Sequence, residues 1–524
     1  MIIKHALISV FDKNKIIELA KILTKCNIKI FSTGGTSKIL KKSGIDYMDI
    51  SQYTNVPEMI NGRIKTLHHK IYAGILAREG IDDKDLNKQG IIKIDMVVVN
   101  FYPFLNIVQM KKNSLNSILE YIDIGGPAIV RAAAKNYENV VVLVNKNDYQ
   151  PIAQEILKNN NSLSINKRLQ LATTAFNYVT EYDNNISDYF LEINKNKLNK
   201  NLNNNIFPKY LNIKFVKKYD LCYGENKHQK SAFYVNKNIL DKITYNTTQL
   251  QGKLLSYNNK LDSNVAVTCI QEFYKPVCVI VKHGNPCSVA VGKDILSSYL
   301  NAYNSDPISS FGGVIAFNKE LNEELAKTII KKQFTEIIIA PSVNKEFLNI
   351  IKFKPKIKIL IYKNLDYVKN NLELRSISEG LLVQEPNYNI EEQTSWNIVT
   401  KRKPNLNELK DSLFAWKVVK HVKSNAIVYV KNLITIGIGA GQMSRIYAAK
   451  LAKIKAEDLD FDTKKSVMAS DAFFPFRDGI DMAASIGITC IIQPGGSIRD
   501  SEVINAANEH NIAMIFTNIR CFKH

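Results

Sequence analysis

The chain of 524 residues is too long for one hydrophobic core, so we expect roughly two to four structural units. It contains no run of roughly eighteen or more apolar residues, which excludes a membrane-spanning helix and favours a cytoplasmic location. Its net charge of +21 comes from lysines spread along the whole chain without a nucleic-acid-binding motif, so we expect no nucleic-acid partner and no membrane partner.

The first third of the chain alternates strand and helix patterns. Segment 5–10 predicts a strand, and apolar residues at helical spacing from 16 to 23 predict an amphipathic helix. A second strand at 28–33 is followed by a Gly-Gly turn and a short helix. The runs at 96–100 and 139–145 are short and apolar, as in a parallel sheet buried on both faces. This pattern predicts a doubly wound α/β domain, in which ligands gather at the carboxyl ends of strands.

The clearest boundary is the polar stretch 192–209, EINKNKLNKNLNNNIFPK, which predicts a solvated linker. Strand and helix signals then resume to the C-terminus, with a weaker break near 363–403. We therefore predict domains at 1–198 and 199–524, the second of two lobes. No internal repeat is evident in the sequence.

Four segments of the first domain carry polar groups suited to a nucleotide. The turn at 32–36, STGGT, offers hydroxyls and backbone N–H groups for a phosphate, although any tight strand–helix turn can have this composition. Arg63 and Lys65 are two nearby cations, and Tyr102 follows a buried strand. Asp123 precedes a Gly-Gly turn and two cations one helical turn apart, the second being Lys135.

Taken together, these segments resemble a known family. STGGT, GRIKTLHHKIYAGILAR, VVNFYPF and YIDIGGPAIVRAAAKN occur in the order found in the enzymes that fuse an AICAR transformylase to an IMP cyclohydrolase. The resemblance implies a cyclohydrolase domain similar in fold to methylglyoxal synthase. It implies that four residues surround the nucleotide during ring closure: Lys65, Tyr102, Asp123 and Lys135. It further implies a substrate-binding set of Ser9, Lys13, Ser32, Thr33, Gly34, Gly35, Thr36, Arg63 and Thr66.

The second domain resembles the transformylase half, whose two lobes are similar in fold to cytidine deaminase. Its motifs are CYGENKHQ, KHGNPC, SSFGG, the Ser-Asn pair at 424–425, GIGAGQMSR, SDAFFPFRD and TNIR, so the resemblance covers essentially the whole chain. It implies that Lys282, His283 and Asn425 are catalytic. It also implies substrate contacts by Tyr223, Gly312, Glu336, Arg445, Phe473 and Arg520.

The implied reactions are formyl transfer from 10-formyltetrahydrofolate to AICAR and closure of formyl-AICAR to IMP with loss of water, the last two steps of de novo purine synthesis. Neither reaction requires a metal or redox cofactor. Because the amino group of AICAR is a poor nucleophile, formyl transfer requires a base that works near neutral pH, which suits His283. Lys282 would favour the neutral imidazole by charge repulsion. The family also implies a homodimer with transformylase sites across the interface.

Two other motif interpretations fail on spacing. A zinc deaminase requires H-x-E and P-C-x-x-C, but His283 is followed by Gly-Asn, and Cys287 has no second cysteine at this spacing. Segment 437–441 reads G-x-G-x-G, which is not the spacing of a dinucleotide-binding turn. The seven cysteines form no C-x-x-C pair, so we expect no metal site.

The sequence departs from the family pattern at five positions. Cysteine replaces the usual arginine at 222, and lysine replaces proline at 227. His69 and Tyr72 replace a proline and a second histidine, and Phe11 replaces a small polar residue, so we expect a looser phosphate site. Two alternatives stay open: an enzyme that retains only one activity, and a basic RNA-associated protein on an enzyme-like scaffold.

Overall fold

The computed structural model describes residues 1–60, 63–110, 114–198, 207–236, 247–362, 372–387 and 396–524. They divide into two compact units, Met1–Lys209 and Tyr210–His524. Within the described ranges, no helix is long and apolar enough to cross a membrane.

The first unit is built on a five-stranded sheet in which every neighbouring pair of strands is parallel. Its strands are β1 (His5–Val10), β2 (Lys29–Ser32), β3 (Met48–Asp49), β4 (Met96–Asn100) and β5 (Val141–Leu143). Their order is β3-β2-β1-β4-β5. The central strands are rich in Val, Ile and Leu because both of their faces are covered.

Helices cover both faces of this sheet. Because successive side chains of a strand point to opposite faces, Leu7 and Val97 join one buried cluster. The next residues along each strand, Ile8 and Val98, join the other cluster. The doubly wound α/β prediction is confirmed. The helices are α1 (Ile16–Lys25), α2 (Gly34–Lys42), α3 (Ile50–Thr54), α4 (His69–Leu76), α5 (Asp83–Lys88), α6 (Phe104–Gln109), α7 (Leu115–Leu119), α8 (Gly125–Lys135), α9 (Lys146–Lys158) and α10 (Ile165–Leu198).

The linker predicted at 192–209 is wrong for its first part, because α10 continues to Leu198. The helix is anchored upstream, where Ala172, Ala175 and Val179 are buried in the core. Once a helix is nucleated, adding a further residue requires little free energy, so even a polar, asparagine-rich sequence can extend it. Residues 199–206 lie outside the described residues, and the division at 198/199 stays a prediction.

The second unit contains a twelve-stranded mixed sheet and two separate hairpins. The hairpins are β6 (Phe215–Asp220) with β7 (Ala232–Asn236), and β14 (Glu373–Ile377) with β15 (Gly380–Gln384). The strands of the large sheet are β8 (Thr247–Gln251), β9 (Val277–Lys282), β10 (Asn285–Val291), β11 (Val314–Phe317), β12 (Ile337–Ala340), β13 (Lys358–Tyr362), β16 (Asn397–Ile398), β17 (Ile427–Lys431), β18 (Ile434–Gly439), β19 (Val467–Ser470), β20 (Cys490–Gln493) and β21 (Ala513–Phe516).

Nine helices lie in the described part of the second unit. They are α11 (Tyr257–Ile270), α12 (Ile295–Ser305), α13 (Pro307–Ser310), α14 (Glu323–Lys332), α15 (Lys345–Ile351), α16 (Leu406–Val419), α17 (Arg445–Glu457), α18 (Asp478–Ser485) and α19 (Asp500–Glu509).

The large sheet consists of two lobes with the same topology. Its order is β16-β21-β20-β19-β17-β18-β10-β9-β11-β12-β13-β8. Read inward from either edge, the six strands of a lobe follow in the same succession: first, sixth, fifth, fourth, second and third along the chain. Each lobe has a helix, an antiparallel hairpin and three parallel strands, and the lobes meet where β10 pairs with β18. The two-lobed prediction is confirmed. The sequence showed no repeat, because the lobes keep the burial pattern rather than the identity of residues.

Candidate active sites

The first candidate site lies at the carboxyl edge of the parallel sheet, where β1, β2 and β4 end side by side. Asn100 fixes the loop after β1: its side-chain oxygen accepts from the N–H groups of Phe11 at 2.6 Å and Asp12 at 2.8 Å. The hydroxyl of Thr36 is 3.1 Å from both the N–H and the carbonyl oxygen of Val10. The loop and the Gly-Gly turn are therefore held against each other.

Two lysine side chains reach the Gly-Gly turn at the start of α2. A Cβ atom added to Gly34 would lie 3.4 Å from Lys65 Nζ, and one added to Gly35 would lie 3.5 Å from Lys13 Nζ. Gly34 has a φ of 59°, which favours glycine. Lys65 also pairs with Glu58 Oε1 at 3.0 Å. Two ammonium groups beside the first N–H groups of a helix form a suitable environment for an anion.

Two of the three hydroxyls of the STGGT turn, those of Ser32 and Thr36, are directed differently from the prediction. Ser32 donates to the carbonyl of Ile8 at 2.9 Å, and Thr36 bonds to the backbone of Val10. Both hydroxyls therefore stabilise the sheet edge. Thr33 is the N-cap of α2, and Ser9 is a half-buried residue of β1. The backbone N–H groups of the turn and the two nearby lysines remain suited to an anion.

Asp123 lies at the N-terminus of α8. Its backbone N–H donates to the hydroxyl of Tyr182 at 2.8 Å, and its carboxylate accepts from the N–H of Gly126 at 2.8 Å. A Cβ atom at Gly126 would lie 2.5 Å from Asp123 Oδ2, so a larger residue there would displace the carboxylate. Burial raises the pKa of Asp123, although the bond from Gly126 acts in the opposite direction.

Tyr72, one of the departures from the family pattern, lies near enough to this carboxylate to interact with its charge. Its hydroxyl is buried and has no hydrogen-bond partner among the described residues. Burial, followed by the charge of Asp123, raises the pKa of Tyr72 to about 12. The phenol therefore keeps its proton at neutral pH.

The remaining predicted residues of the first domain are only partly brought together. Tyr102 packs against Phe11 with ring centroids 5.0 Å apart, and Thr66 Oγ1 would be 3.2 Å from a Cβ atom on Gly125. Arg63 forms an exposed ion pair with Glu120, and its neighbour Gly62 lies outside the described residues. Lys135 is in the last turn of α8, about 15 Å along the helix axis from its first turn.

The second candidate site is centred on the hairpin between β9 and β10. His283 and Gly284 form its two-residue turn, with φ angles of 52° and 72°. This pair of left-handed residues is typical of the tight turn that fits twisted strands. Lys282 donates from its ammonium group to the carbonyl of Phe311 at 2.8 Å. Asp262, on α11, accepts from the N–H of Gly284 at 2.6 Å.

Asn425 and Arg445 are joined in one polar cluster. The guanidinium of Arg445 donates to Asn425 Oδ1 at 2.9 Å and to the buried Asp471 at 3.0 Å. The amide of Asn425 donates to the carbonyl of Gln442 at 2.8 Å, which orients its second N–H. The peptide bond between Ser424 and Asn425 is cis. Arg445 also donates to the carbonyl of Phe473 at 3.0 Å.

Of the other predicted substrate contacts, Gly312 and Glu336 lie beside the hairpin: Phe311 accepts from Lys282, and the N–H of Glu336 donates to the carbonyl of Gly313 at 3.1 Å. Gly312 is in a left-handed turn with a φ of 74°, and Glu336 accepts from the amide of Asn259 at 2.8 Å. The guanidinium of Arg520 lies over the ring of Phe522 at 4.4 Å. The carbonyl of Tyr223 accepts from the N–H of Tyr257 at 3.2 Å.

Cys222 and Lys227, the departures in the CYGENKHQ motif, are both exposed. The Cys222 thiol donates to the carbonyl of Leu254 at 3.1 Å. Within the described ranges, no three His, Cys, Asp or Glu side chains are grouped closely enough to hold a metal ion.

The comparisons with known proteins cover both units. A family model described as "AICARFT/IMPCHase bienzyme" matches residues 133–455, and an "MGS-like domain" model matches 15–128. The chain is 55% identical over 524 residues to the "Bifunctional purine biosynthesis protein PurH" of Buchnera aphidicola subsp. Acyrthosiphon pisum (strain 5A). It is 52% identical over 525 residues to the protein of the same description from Buchnera aphidicola subsp. Schizaphis graminum (strain Sg). Each match covers 100% of this chain and 99% of the relative.

A solved structure described as "Crystal structure of ForH" is 32% identical and covers 36% of this chain and 98% of its own. Its TM-score is 0.31, which is too low to support an argument about the fold.

Proposed function

Because the chain belongs to the AICARFT/IMPCHase bienzyme family, we infer that it is both an AICAR transformylase and an IMP cyclohydrolase. In the first reaction the amino nitrogen of AICAR bonds to the formyl carbon, and the donor nitrogen leaves with a proton. In the second the carboxamide nitrogen attacks the formyl carbon and water leaves, which gives IMP. The observation that carries this function is the 55% identity to a bifunctional relative over the full length of both chains.

We propose that residues 1–198 carry the cyclohydrolase and residues 199–524 the transformylase. In the first domain, Lys13 and the N-terminus of α2 bind the nucleotide phosphate, together with Ser9, Arg63 and Thr66. Lys65 and Tyr102 stabilise oxygen charge during closure. Asp123 exchanges a proton with the nucleotide, because burial raises its pKa and so favours the protonated carboxyl.

Lys135 lies apart from the other residues of this set. It lies at the C-terminal end of α8, whereas Asp123 precedes the N-terminus of that helix. We assign it an orienting role at a distance, or a contact made by a second copy of the chain.

In the second domain, His283 is the base that removes a proton from the amino group of AICAR. Lys282 and the amide of Asn425 stabilise negative charge on the formyl oxygen. Support for this assignment comes from the left-handed turn, which lets both Lys282 and His283 leave the plane of the strand. The substrate is held by the side chains of Tyr223, Glu336, Arg445, Phe473 and Arg520 and by the backbone at Gly312.

We propose 10-formyltetrahydrofolate as the formyl donor and no metal or redox cofactor, since neither reaction changes an oxidation state. The partners are the small molecules AICAR, formyl-AICAR and the folate. The chain acts as a homodimer in the cytoplasm. No observation favours RNA association, and the lysines that produce the net charge are spread along the chain.

The test is IMP formation by the full chain supplied with AICAR and 10-formyltetrahydrofolate, with formyl-AICAR supplied in parallel. We expect both reactions to give IMP. IMP from formyl-AICAR alone would show that only the cyclohydrolase is retained, and formyl-AICAR accumulation would show that only the transformylase is. Salt-dependent RNA binding in the absence of both activities would overturn the enzymatic function.

A further inference from the structure

The two lobes of the second unit anchor their central hairpins in the same way. In the first lobe, Asp262 on α11 accepts a hydrogen bond from the N–H of Gly284 in the turn after β9. In the second lobe, Asp411 on α16 accepts from the N–H groups of Asn432 at 2.9 Å and Leu433 at 2.7 Å in the turn after β17. Both aspartates are the sixth residue of their helix, and a serine follows each.

Both turns require such an anchor because they contain left-handed residues other than glycine. His283 has a φ of 52°, and the equivalent Asn432 has a φ of 56°. L-amino acids disfavour this conformation, so the turn persists only where surrounding contacts hold it. A carboxylate that accepts from the turn N–H groups supplies such a contact, and a charged acceptor makes a stronger hydrogen bond than a neutral one.

The two hairpin turns carry different side chains. The second-lobe turn carries an asparagine and a leucine, whereas the first-lobe turn carries His283 next to Lys282. We propose that Asp262 is a positioning residue for His283, holding the turn that aims the imidazole at the substrate and facing it with a negative charge. This inference rests on the proposed function, in which His283 is the base.

The charges around the turn come from four elements. Burial raises the pKa of Asp262 on α11 and the charge of Glu336 adds to this shift, whereas the Gly284 N–H and His283 act in the opposite direction. Lys282 adjoins the imidazole in sequence. Lys423 also lies near the turn: its Nζ is 3.8 Å from the position of a Cβ atom on Gly284, and its backbone N–H donates to Asn285 Oδ1 at 2.9 Å. Among these groups, Asp262 alone combines a negative charge with a hydrogen bond to the turn.

The experiment compares Asp262→Ala and Asp262→Asn with the matched control Asp411→Ala in the full chain. Asp262→Ala removes the acceptor, and a displacement of about 1 Å at a reacting group lowers kcat by about a hundredfold. Asp262→Asn keeps an acceptor but removes the charge, so kcat falls by about tenfold while the KM for AICAR stays within about twofold. Asp411→Ala lowers the thermal midpoint but leaves kcat at the parent value.

The pH profile of formyl transfer separates positioning from a general loss of stability. In Asp262→Asn the protonated imidazole loses a nearby negative charge, so the acid limb of the kcat/KM profile moves to lower pH. In Asp411→Ala the limb stays in place. Closure of supplied formyl-AICAR stays at the parent rate in all three variants, because that site belongs to the first unit.

An unshifted acid limb and parent kcat in Asp262→Asn would overturn the proposal. So would equal losses of kcat in Asp262→Ala and Asp411→Ala. If Asp262→Ala does not fold, Asp262→Asn alone decides. His283→Ala separates the role of His283 as the base from the positioning role of Asp262. Formyl transfer at the parent rate in that variant overturns His283 as the base. An inactive His283→Ala with fully active Asp262 variants overturns only the positioning role.

Discussion

The carboxylate of Glu272 and the imidazole of His421 occupy equivalent positions in the two lobes and meet in the interior of the second unit, 3.4 Å apart. Lys420 Nζ lies 2.8 Å from the same carboxylate oxygen. Burial opposes ionisation of Glu272, yet contacts with His421 and Lys420 outweigh it and lower its pKa. Burial is also the main reason that the pKa of His421 is lowered, to about 4, although the carboxylate opposes this shift.

This pair predicts an acid-sensitive stability. Below a pH of about 6.5 the unfolded chain protonates this histidine, whereas folded His421 resists protonation until about pH 4. The free energy of unfolding therefore falls as pH decreases through that window, by an upper limit of about 3 kcal/mol from this residue. In His421→Phe this loss should disappear, as measured by urea unfolding between pH 7 and 4.5. His524→Phe, which replaces an exposed histidine, is the control and should keep the parent slope.

His283→Ala should lower formyl transfer by about a hundredfold or more, because it removes the base. Closure of supplied formyl-AICAR should continue at the parent rate. Asn432→Ala, at the equivalent turn position of the second lobe, is the matched control and should leave formyl transfer unchanged. Loss of both activities in a folded His283→Ala protein would contradict the division into two catalytic domains.

Lys65→Ala should spare formyl transfer and slow closure by about a hundredfold, because it removes one cation that stabilises oxygen charge. Chromatography of the reaction mixture should then show formyl-AICAR accumulating. Lys25→Ala changes an exposed lysine in the last turn of α1 and serves as the control for net charge. Unchanged IMP output from Lys65→Ala would show that this residue has been misassigned.

The sequence predicted the elements of the first unit well, because the spacing of residues such as Ile16 and Leu23 follows from which face is buried. It could not predict contacts in which a side chain binds distant backbone. The carboxylate of Asp262 reaches a turn some twenty residues later in the sequence, and the hydroxyl of Ser32 bonds to Ile8 in the neighbouring strand. Such bonds depend on tertiary placement and leave no periodic signal.

Tyr72→Phe should raise the free energy of unfolding by about 1 kcal/mol, because it removes a buried hydroxyl that has no hydrogen-bond partner. Tyr53→Phe provides the opposite case in the same unit. The hydroxyl of Tyr53 accepts from the N–H of Ile92 at 2.7 Å, so its removal should lower the free energy of unfolding by about 1 kcal/mol. Equal effects of the two substitutions in denaturant unfolding would argue that a ligand or water satisfies Tyr72.

Cys222 is the sharpest departure from the family pattern, and its exposed position leaves room for a larger side chain. If it faces AICAR as the motif implies, Cys222→Arg adds a planar cation near a polar group of the substrate. Such a contact is worth roughly 1.5–3 kcal/mol, or about a tenfold to hundredfold gain in affinity. We therefore expect a lower KM for AICAR, little change in kcat and unchanged closure.

Lys227 offers a competing account, in which its ammonium group supplies the positive charge of the missing arginine. In the Lys227→Pro background, Cys222→Arg should then improve the KM for AICAR more than it does in the parent, because two groups that share one role give non-additive effects. The thiol bond to the Leu254 carbonyl does not prevent this gain, since a guanidinium has N–H groups enough for both partners. Steady-state kinetics of the parent, the two single variants and the double variant measures the coupling between positions 222 and 227. An unchanged KM in both backgrounds would mean that position 222 does not contact AICAR.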